Sequence, residues 1–343
     1  MSVGIMPEKM KAVVLTEYSA SLSGVLRNLQ VTEKSLRSLG DDEVLVKMTA
    51  APCNPSDIAF FRGMYDIIKP LPVVAGFEGT GTVIAAGKDG KALYLVGKRV
   101  SVFSKDEGDG TWAEYFIAKP ENCIPVKEGL NTTQAACLAI NPLTAYALTD
   151  LAHISGSKTI INTAAAGQTG GFIRVFAREK NIGLINLVRK DEHITKLKET
   201  GETYVLNILS NDFQEQLSKL AHDLRATVAL DALGGEWSGK IVEAMPAGSQ
   251  LILYGGLSGQ YLANINVLEI IFRQKTIIGF NLADWIKDSG PVNYGLVMSG
   301  IQERMMKGTI QITIQKTFKL EEVVRALLQY AGHLSDGKIL FIP

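Results

Sequence analysis

From Lys158 to Phe280 six apolar runs, TIINTA, LINLVR, TYVLNI, ATVALDAL, QLILYGG and TIIGF, alternate with segments of helical spacing. Runs that are apolar throughout, rather than at every second residue, belong to strands buried on both faces. A parallel sheet covered by helices on both sides buries them. The segment after Gly170 shows the helical half of the unit: Phe172, Ile173, Phe176 and Ala177 share one face, with Arg174, Arg178, Glu179 and Lys180 largely elsewhere. The pattern predicts a doubly wound α/β domain. It is entered near Asn131 through TTQAACLAINPLTAYALTDLA, small and apolar residues at helical spacing behind a Thr-rich start that can cap them.

The rest of the chain has a different rhythm. Between Lys11 and Pro125, short β-branched runs (KAVVLTEY, EVLVKMTAA, GTGTVIAAG, KRVSVF, AEYFIAK) lie between turn signals and read as all-β. Past Lys307 come TIQITIQKTF, one helix (LEEVVRALLQYA) and a last strand, GKILFIP. A strand pair left alone would present unpaired edges, so this return is expected to rejoin the N-terminal β region. The expected organisation is discontinuous: residues 1–130 with 286–343 form an outer domain and 131–285 an inner one, two domains being what 343 residues suggest.

Composition narrows the partners. Lys plus Arg equals Asp plus Glu at 35 each, without the basic excess that nucleic acid or an anionic membrane demands. No apolar stretch reaches the length of a membrane span, and the start, MSVGIMPEKMK, lacks the apolar core of a secretory leader, so a cytoplasmic location is expected. Cys53, Cys123 and Cys137 are odd in number and widely spaced, which argues against a disulfide framework or a four-cysteine zinc site. His153, His193, His222 and His333 show no paired ligand spacing, and no metal is expected.

The first strand of the α/β half runs into TAAAGQTGGF and then a helix. In that context a glycine-rich turn lets backbone N–H groups and a helix N-terminus approach a pyrophosphate. Against the G-x-G-x-x-G fingerprint, Ala165 takes the first glycine position, Gly167 the second and Gly170 the third, so Ala166, Gly167, Gln168, Thr169 and Gly170 are candidate cofactor contacts. A ligand-free glycine-rich connection would read the same locally; the ordered strands that follow favour the dinucleotide. The second strand ends in Arg189 and Lys190, where an NAD enzyme usually has an acidic residue. A guanidinium there suits a 2′-phosphate and points to NADPH, while the competing reading is a pair of solvated loop charges. Asp191 is read as a helix N-cap.

A β-rich N-terminal half, a dinucleotide domain and a short β return resemble the medium-chain dehydrogenase/reductase superfamily over essentially the whole chain. The stretch APCNPSDIAFFRGMYDIIKPLPVVAGFEGTG, with GDGTWAEYFIA, LAINPLTAY, YGGL and GKILF in register, is similar to the zinc-free quinone oxidoreductases and 2-enoyl thioester reductases. INLVRKDE, GDGTW and IIGFNLADWIKD look most like the enoyl reductases, and AAAG is nearer the quinone reductases. The resemblance implies an α/β fold: a Rossmann-type doubly wound parallel sheet plus a GroES-like β-rich catalytic domain. At the positions where zinc alcohol dehydrogenases of the superfamily carry metal ligands, this chain has Asn54, Phe77 and Ile140, with Cys53 shifted by one residue. Alcohol dehydrogenation is therefore disfavoured.

An acceptor that needs no metal is already electron-poor: a quinone, an enone or an enoyl thioester, to which NADPH gives a hydride. The resemblance places the enoyl reductases' catalytic Tyr at Tyr65, whose phenol can hold or protonate the enolate; a ring that only packs at the cleft mouth is the alternative. Tyr65 and Lys69 also fit Y-x-x-x-K, but Tyr94/Lys98 and Tyr115/Lys119 fit equally, so that match carries nothing. Asn54 and Trp285 are candidate pocket residues. Further cofactor contacts carried over from the family are Asn141, Thr144, Tyr254, Gly255, Gly256, Phe280, Asn281, Leu282 and Lys338. VLEIIFRQKTIIGF is apolar enough to bury a homodimer seam, or equally to be internal core. Two rivals remain: a dedicated enoyl thioester reductase of fatty-acid synthesis, and a non-catalytic nucleotide-binding or RNA-binding relative, which the zero net charge disfavours.

Overall fold

The computed structural model describes residues 6–104 and 108–343. The first five residues of MSVGIMPEKMK, on which the leader expectation rests, lie outside that set. Two compact units divide the chain: Met1–Ile140 with Gly295–Pro343, and Asn141–Tyr294. Along the first stretch run β1 (Lys9–Leu15), α1 (Leu22–Asn28), β2 (Leu29–Ser35), β3 (Val44–Pro52), α2 (Pro55–Phe61), β4 (Val73–Val74), β5 (Glu78–Ala86), α3 (Gly90–Leu95), β6 (Arg99–Phe103), β7 (Tyr115–Ala118), β8 (Cys123–Pro125) and α4 (Thr132–Ala136). The second unit continues with α5 (Asn141–Ile154), β9 (Thr159–Asn162), α6 (Gln168–Glu179), β10 (Gly183–Val188), α7 (Asp191–Glu199), β11 (Tyr204–Asn207), α8 (Phe213–Asp223), β12 (Val228–Asp231), α9 (Gly235–Ala244), β13 (Gln250–Leu253), α10 (Val267–Arg273) and β14 (Thr276–Gly279). Then follow α11 (Leu282–Met306), broken at Gly290 (φ 69) ahead of Pro291, β15 (Ile314–Lys319), α12 (Val323–Gly332) and β16 (Lys338–Ile342).

In the second unit the six strands lie in the order β11-β10-β9-β12-β13-β14, every pairing parallel. The order reverses between β9 and β12, and in open α/β sheets ligands sit beyond the carboxyl ends of the strands at such a point. All four residues of β9 and of β12 are buried, and α6 buries Phe172, Ile173, Phe176 and Ala177, the face its periodicity marks.

The first unit is mostly antiparallel: a three-stranded sheet β2-β1-β4 and a larger one ordered β15-β16-β3-β5-β6-β8, with β7 also on β3. The late strands do not stand alone, for β16 pairs with β3 through Leu340 opposite Pro52 and Phe341 opposite Ala51. The core here is aromatic: Trp112 packs on Phe341 at 4.4 Å and Phe61 at 5.5 Å, and its indole N–H donates to the Pro52 carbonyl at 3.0 Å. Among the described residues no helix is long and apolar enough to cross a membrane.

Two local expectations are corrected. The helical stretch expected after Asn131 forms as α4 and α5, and the first is capped not by its threonines but by Asn131, whose side chain accepts from Gln134 N at 2.8 Å while the Gln134 side chain accepts from Asn131 N at 3.1 Å. Asp191 does not cap α7; Lys190 holds that place. Asp191 is the first helical residue, where its charge suits the helix dipole and its carboxylate accepts from Asn207 Nδ2 at 2.7 Å.

Candidate functional site

β9 delivers the chain to a tight turn. Ala164 adopts a left-handed φ of 48°, rare for a residue with a Cβ, and the turn closes with Gly167 N donating to Ala164 O at 2.9 Å. Gly170 is required sterically: a Cβ there would lie 2.7 Å from both Ala164 O and Ala165 Cα. The α6 helix follows with Gly167 as N-cap and no side chain capping it, and Ala166 to Thr169 are half-buried. An uncapped first turn beside a close-packed glycine is the cradle that a dinucleotide's pyrophosphate fits.

The second unit also carries the other candidate cofactor and pocket residues of the α/β half. Arg189 and Lys190 are exposed at the end of β10; Lys190 Nζ reaches Glu192 at 3.2 Å, while Arg189 makes no hydrogen bond or ion pair among the described residues. Tyr254, Gly255 and Gly256 follow β13, with Tyr254 N on Asp231 O at 2.9 Å. Phe280 N donates to Leu253 O at 2.8 Å, and Asn281 Oδ1 accepts from Ala283 N at 2.8 Å, capping α11 ahead of Leu282. Asn141 and Thr144 open α5, and Trp285 stacks edge-on to Tyr146 at 6.2 Å.

The same unit holds polar residues that pattern reading passed over. Asp231, fully buried at the end of β12, accepts from Thr163 Oγ1 (3.1 Å), Leu233 N (2.9 Å), Gly234 N (3.3 Å) and Ser238 Oγ (2.6 Å), tying β12 to β9 at the reversal. Asn162 and Asn186, side by side on β9 and β10, are buried with Glu202. The signal that could have found them is a polar residue inside an otherwise apolar run.

The first unit brings together Asn54, Asp57, Glu78, Tyr330 and Lys338, all almost wholly buried. Asn54 Nδ2 donates to Glu78 Oε1 at 2.8 Å, Lys338 Nζ donates to Asn54 Oδ1 and lies 3.5 Å from Tyr330 Oη, and Glu78 Oε2 accepts from Ile140 N at 3.2 Å. Asp57 accepts from Asn54 N at 2.7 Å and Phe77 N at 3.1 Å. Burial pushes both carboxyls up to about 7 against the pull of these donors and of Lys338, whose own ammonium burial lowers. The structure thus places Asn54 and Lys338 as partners in one ion cluster.

Tyr65 lies half-buried beyond α2, its ring 5.1 Å from Phe77. Burial, then Asp57 and Asp66, raise its phenol, so it is protonated at neutral pH, the state a proton donor needs. Its segment is anchored at Lys69: Tyr18 Oη accepts from Lys69 N at 2.8 Å and donates to Lys69 O at 2.9 Å, and Lys69 Nζ donates to Ser104 Oγ (3.1 Å) and Gly108 O (2.8 Å).

Two family models match the chain: "Alcohol dehydrogenase GroES-like domain" over residues 40–128 and "Zinc-binding dehydrogenase" over 170–291. A Bos taurus mitochondrial enoyl-[acyl-carrier-protein] reductase is 28% identical over 94% of this chain and 85% of its own, and the Mus musculus one 30% identical over 83% and 76%. A crystal structure from Mesorhizobium loti, provisionally named an NADPH:quinone reductase, superposes with a TM-score of 0.92 at 31% identity over 100% of both chains. The zinc in the second model's description does not fit these residues. Asn54 Oδ1 is taken by the Lys338 ammonium, Phe77 and Ile140 offer side chains without donors, and no group of three His, Cys, Asp or Glu among the described residues could hold a metal ion.

Proposed function

We propose that this chain, which belongs to the zinc-free branch of the medium-chain dehydrogenase/reductase superfamily, is an NADPH-dependent reductase of quinones or activated C=C bonds. The observation that carries this is the β9–α6 turn, where Gly170 admits no Cβ and the helix opens uncapped. NADPH, when bound, supplies a hydride. Ala166 to Gly170 cradle its pyrophosphate, through backbone N–H groups other than that of Gly167, which closes the turn on Ala164, and Arg189, exposed and without a partner among the described residues, takes the 2′-phosphate. Asn141, Thr144, Tyr254, Gly255, Gly256, Phe280, Asn281 and Leu282 complete the cofactor contacts, with Lys190 beside Arg189. Lys338, whose ammonium donates to Asn54 Oδ1, is proposed as a further cofactor contact. The outer, catalytic domain is 1–130 with 286–343 and the cofactor domain 131–285.

An acceptor conjugated to a carbonyl receives hydride at its β carbon, and the enolate then needs a proton. Tyr65, held neutral by its surroundings, is the donor, with Asn54 and Trp285 as pocket residues. An enoyl thioester acceptor is the second reading, favoured by the identity to mitochondrial enoyl-[acyl-carrier-protein] reductases. The protein is proposed to act as a homodimer. Val267, Leu268, Ile271 and Phe272 of α10 are exposed, and β14 is the free edge of its sheet, so a second copy can cover both.

The test is steady-state NADPH oxidation with trans-2-enoyl thioesters and with ortho- and para-quinones, for the wild type and Tyr65→Phe. Loss of enoyl turnover by ~100-fold or more in Tyr65→Phe, within the range a positioned acid contributes, is expected, with quinone reduction less affected. Full-rate enoyl reduction by that variant refutes the donor role, and no turnover of either class by the wild type refutes the proposed activity.

A further inference from the structure

The turn that approaches the pyrophosphate has a liability. Its backbone also carries carbonyl oxygens, whose partial negative charge must be turned away from a diphosphate and satisfied elsewhere. The Ala165 carbonyl lies ahead of the helix, outside its ladder, and accepts from Arg174 Nη1. The Gly170 carbonyl accepts from Asn162 Nδ2 at 3.2 Å. These donors share one origin. Arg174 Nε lies 3.6 Å from Glu202 Oε1, which also accepts from Arg178 Nη2 at 3.1 Å. Glu202 Oε2 accepts from Asn186 Nδ2 at 2.9 Å, and Asn186 Oδ1 in turn accepts from Asn162 Nδ2 at 3.1 Å. Glu202 is 8% exposed, and Asn162 and Asn186 are wholly buried.

We infer that Glu202 is a positioning residue for the coenzyme: through Arg174 it holds the Ala165 carbonyl away from the ligand, and through Asn186–Asn162 it braces Gly170, the first-turn residue packed against Ala164 and Ala165, so that the turn's free N–H groups face the pyrophosphate. Two features set this apart from ordinary core packing. Asparagines placed opposite each other on β9 and β10, in strands otherwise apolar, give up hydrophobic burial, and Asn162 Oδ1 has no hydrogen-bond partner among the described residues, so the pair is oriented by the Nδ2 bonds alone. Arg174 likewise buries most of a guanidinium on the helix that opens the turn, between the Glu202 carboxylate and the Ala165 carbonyl. A charge so placed needs both partners, which is why the carboxylate at the far end governs the carbonyl at the near end.

This rests on the coenzyme reading above and separates from it by experiment. Dissociation constants for NADPH and NADH are measured by tryptophan fluorescence on the whole protein for the wild type, Glu202→Gln and Arg174→Lys, with kcat at saturating NADPH. Because the network acts on the turn shared by both coenzymes, each substitution is expected to raise both constants by the same factor, ~10-fold, which is about 1.4 kcal/mol. The value of kcat per folded molecule stays within about twofold, as loss of uniform binding requires. Glu202→Asp, which keeps the charge, recovers part of the loss and supplies the measurement should Glu202→Gln not fold. Unchanged dissociation constants in folded variants, whatever their melting temperatures, reduce the network to a structural role and overturn the inference. A change confined to NADPH overturns it too, since that would place the effect at the 2′-phosphate. A wild type that binds neither dinucleotide refutes the coenzyme reading itself.

Discussion

Replacing Lys338 with Met tests the buried ion cluster through its pH dependence. The side chain is 3% exposed, its ammonium bonds Asn54 Oδ1, and it acts electrostatically on Glu78 and Asp57, both fully buried with carboxyls pushed up to about 7. A carboxyl raised on folding contributes stability that is complete below its unfolded value, near 4, and is lost as pH rises through 7, because the native state keeps a proton that the unfolded chain gives up. The wild type should therefore weaken from about pH 4 to about 7 and then level. Methionine keeps most of the volume but removes the charge that draws the carboxyls down, so the variant holds its protons to higher pH. At pH 5 the carboxyls are neutral in both proteins and the loss is that of the Asn54 contact, ~1–3 kcal/mol. Above pH 7 each further unit adds ~1.4 kcal/mol per retained proton, approaching the ~3–5 kcal/mol of a broken buried pair. Urea unfolding without coenzyme at pH 5, 6, 7 and 8 measures the gap. The series brackets the value of about 7 to which both carboxyls are raised. A gap constant with pH, or widest at pH 5, refutes the reasoning.

Other outcomes follow from exposed residues whose replacement leaves the cores intact. Arg189→Ala should raise the KM for NADPH ~10-fold or more, the worth of charge-assisted hydrogen bonds, and leave that for NADH nearly unchanged; equal effects on both coenzymes would remove Arg189 from the 2′-phosphate. Ile271→Glu and Phe272→Lys, at positions 62% and 75% exposed on α10, should convert a dimeric wild type to monomer in light scattering after size exclusion, with the melting transition of each subunit retained. A variant that stays dimeric places the seam elsewhere.

The α/β sheet was legible because its strands are apolar throughout: Ile160 and Ile161 of β9 or Ala229 and Leu230 of β12 are what a strand covered on both faces must carry. The turn was legible for a steric reason, since only Gly fits at 170, whereas Ala164 with its positive φ gave no such sign. The partnerships that shape the site span long sequence separations. Asn54 and Lys338 meet across 284 positions, and nothing in either neighbourhood names the other. A resemblance assigned Lys338 to the cofactor without the partner that fixes its ammonium. Asn162, Asn186 and Glu202 went unread for a different reason: counting apolar residues treats one polar residue in a strand as noise. Physically it is the opposite. A buried amide without a partner costs ~1–3 kcal/mol, so an Asn inside each of two successive buried strands already requires a shared polar partner between or beside them. TIIN and GLINLV carry that requirement in plain sight, and Glu202, ahead of β11, is the buried carboxylate that meets it at Asn186.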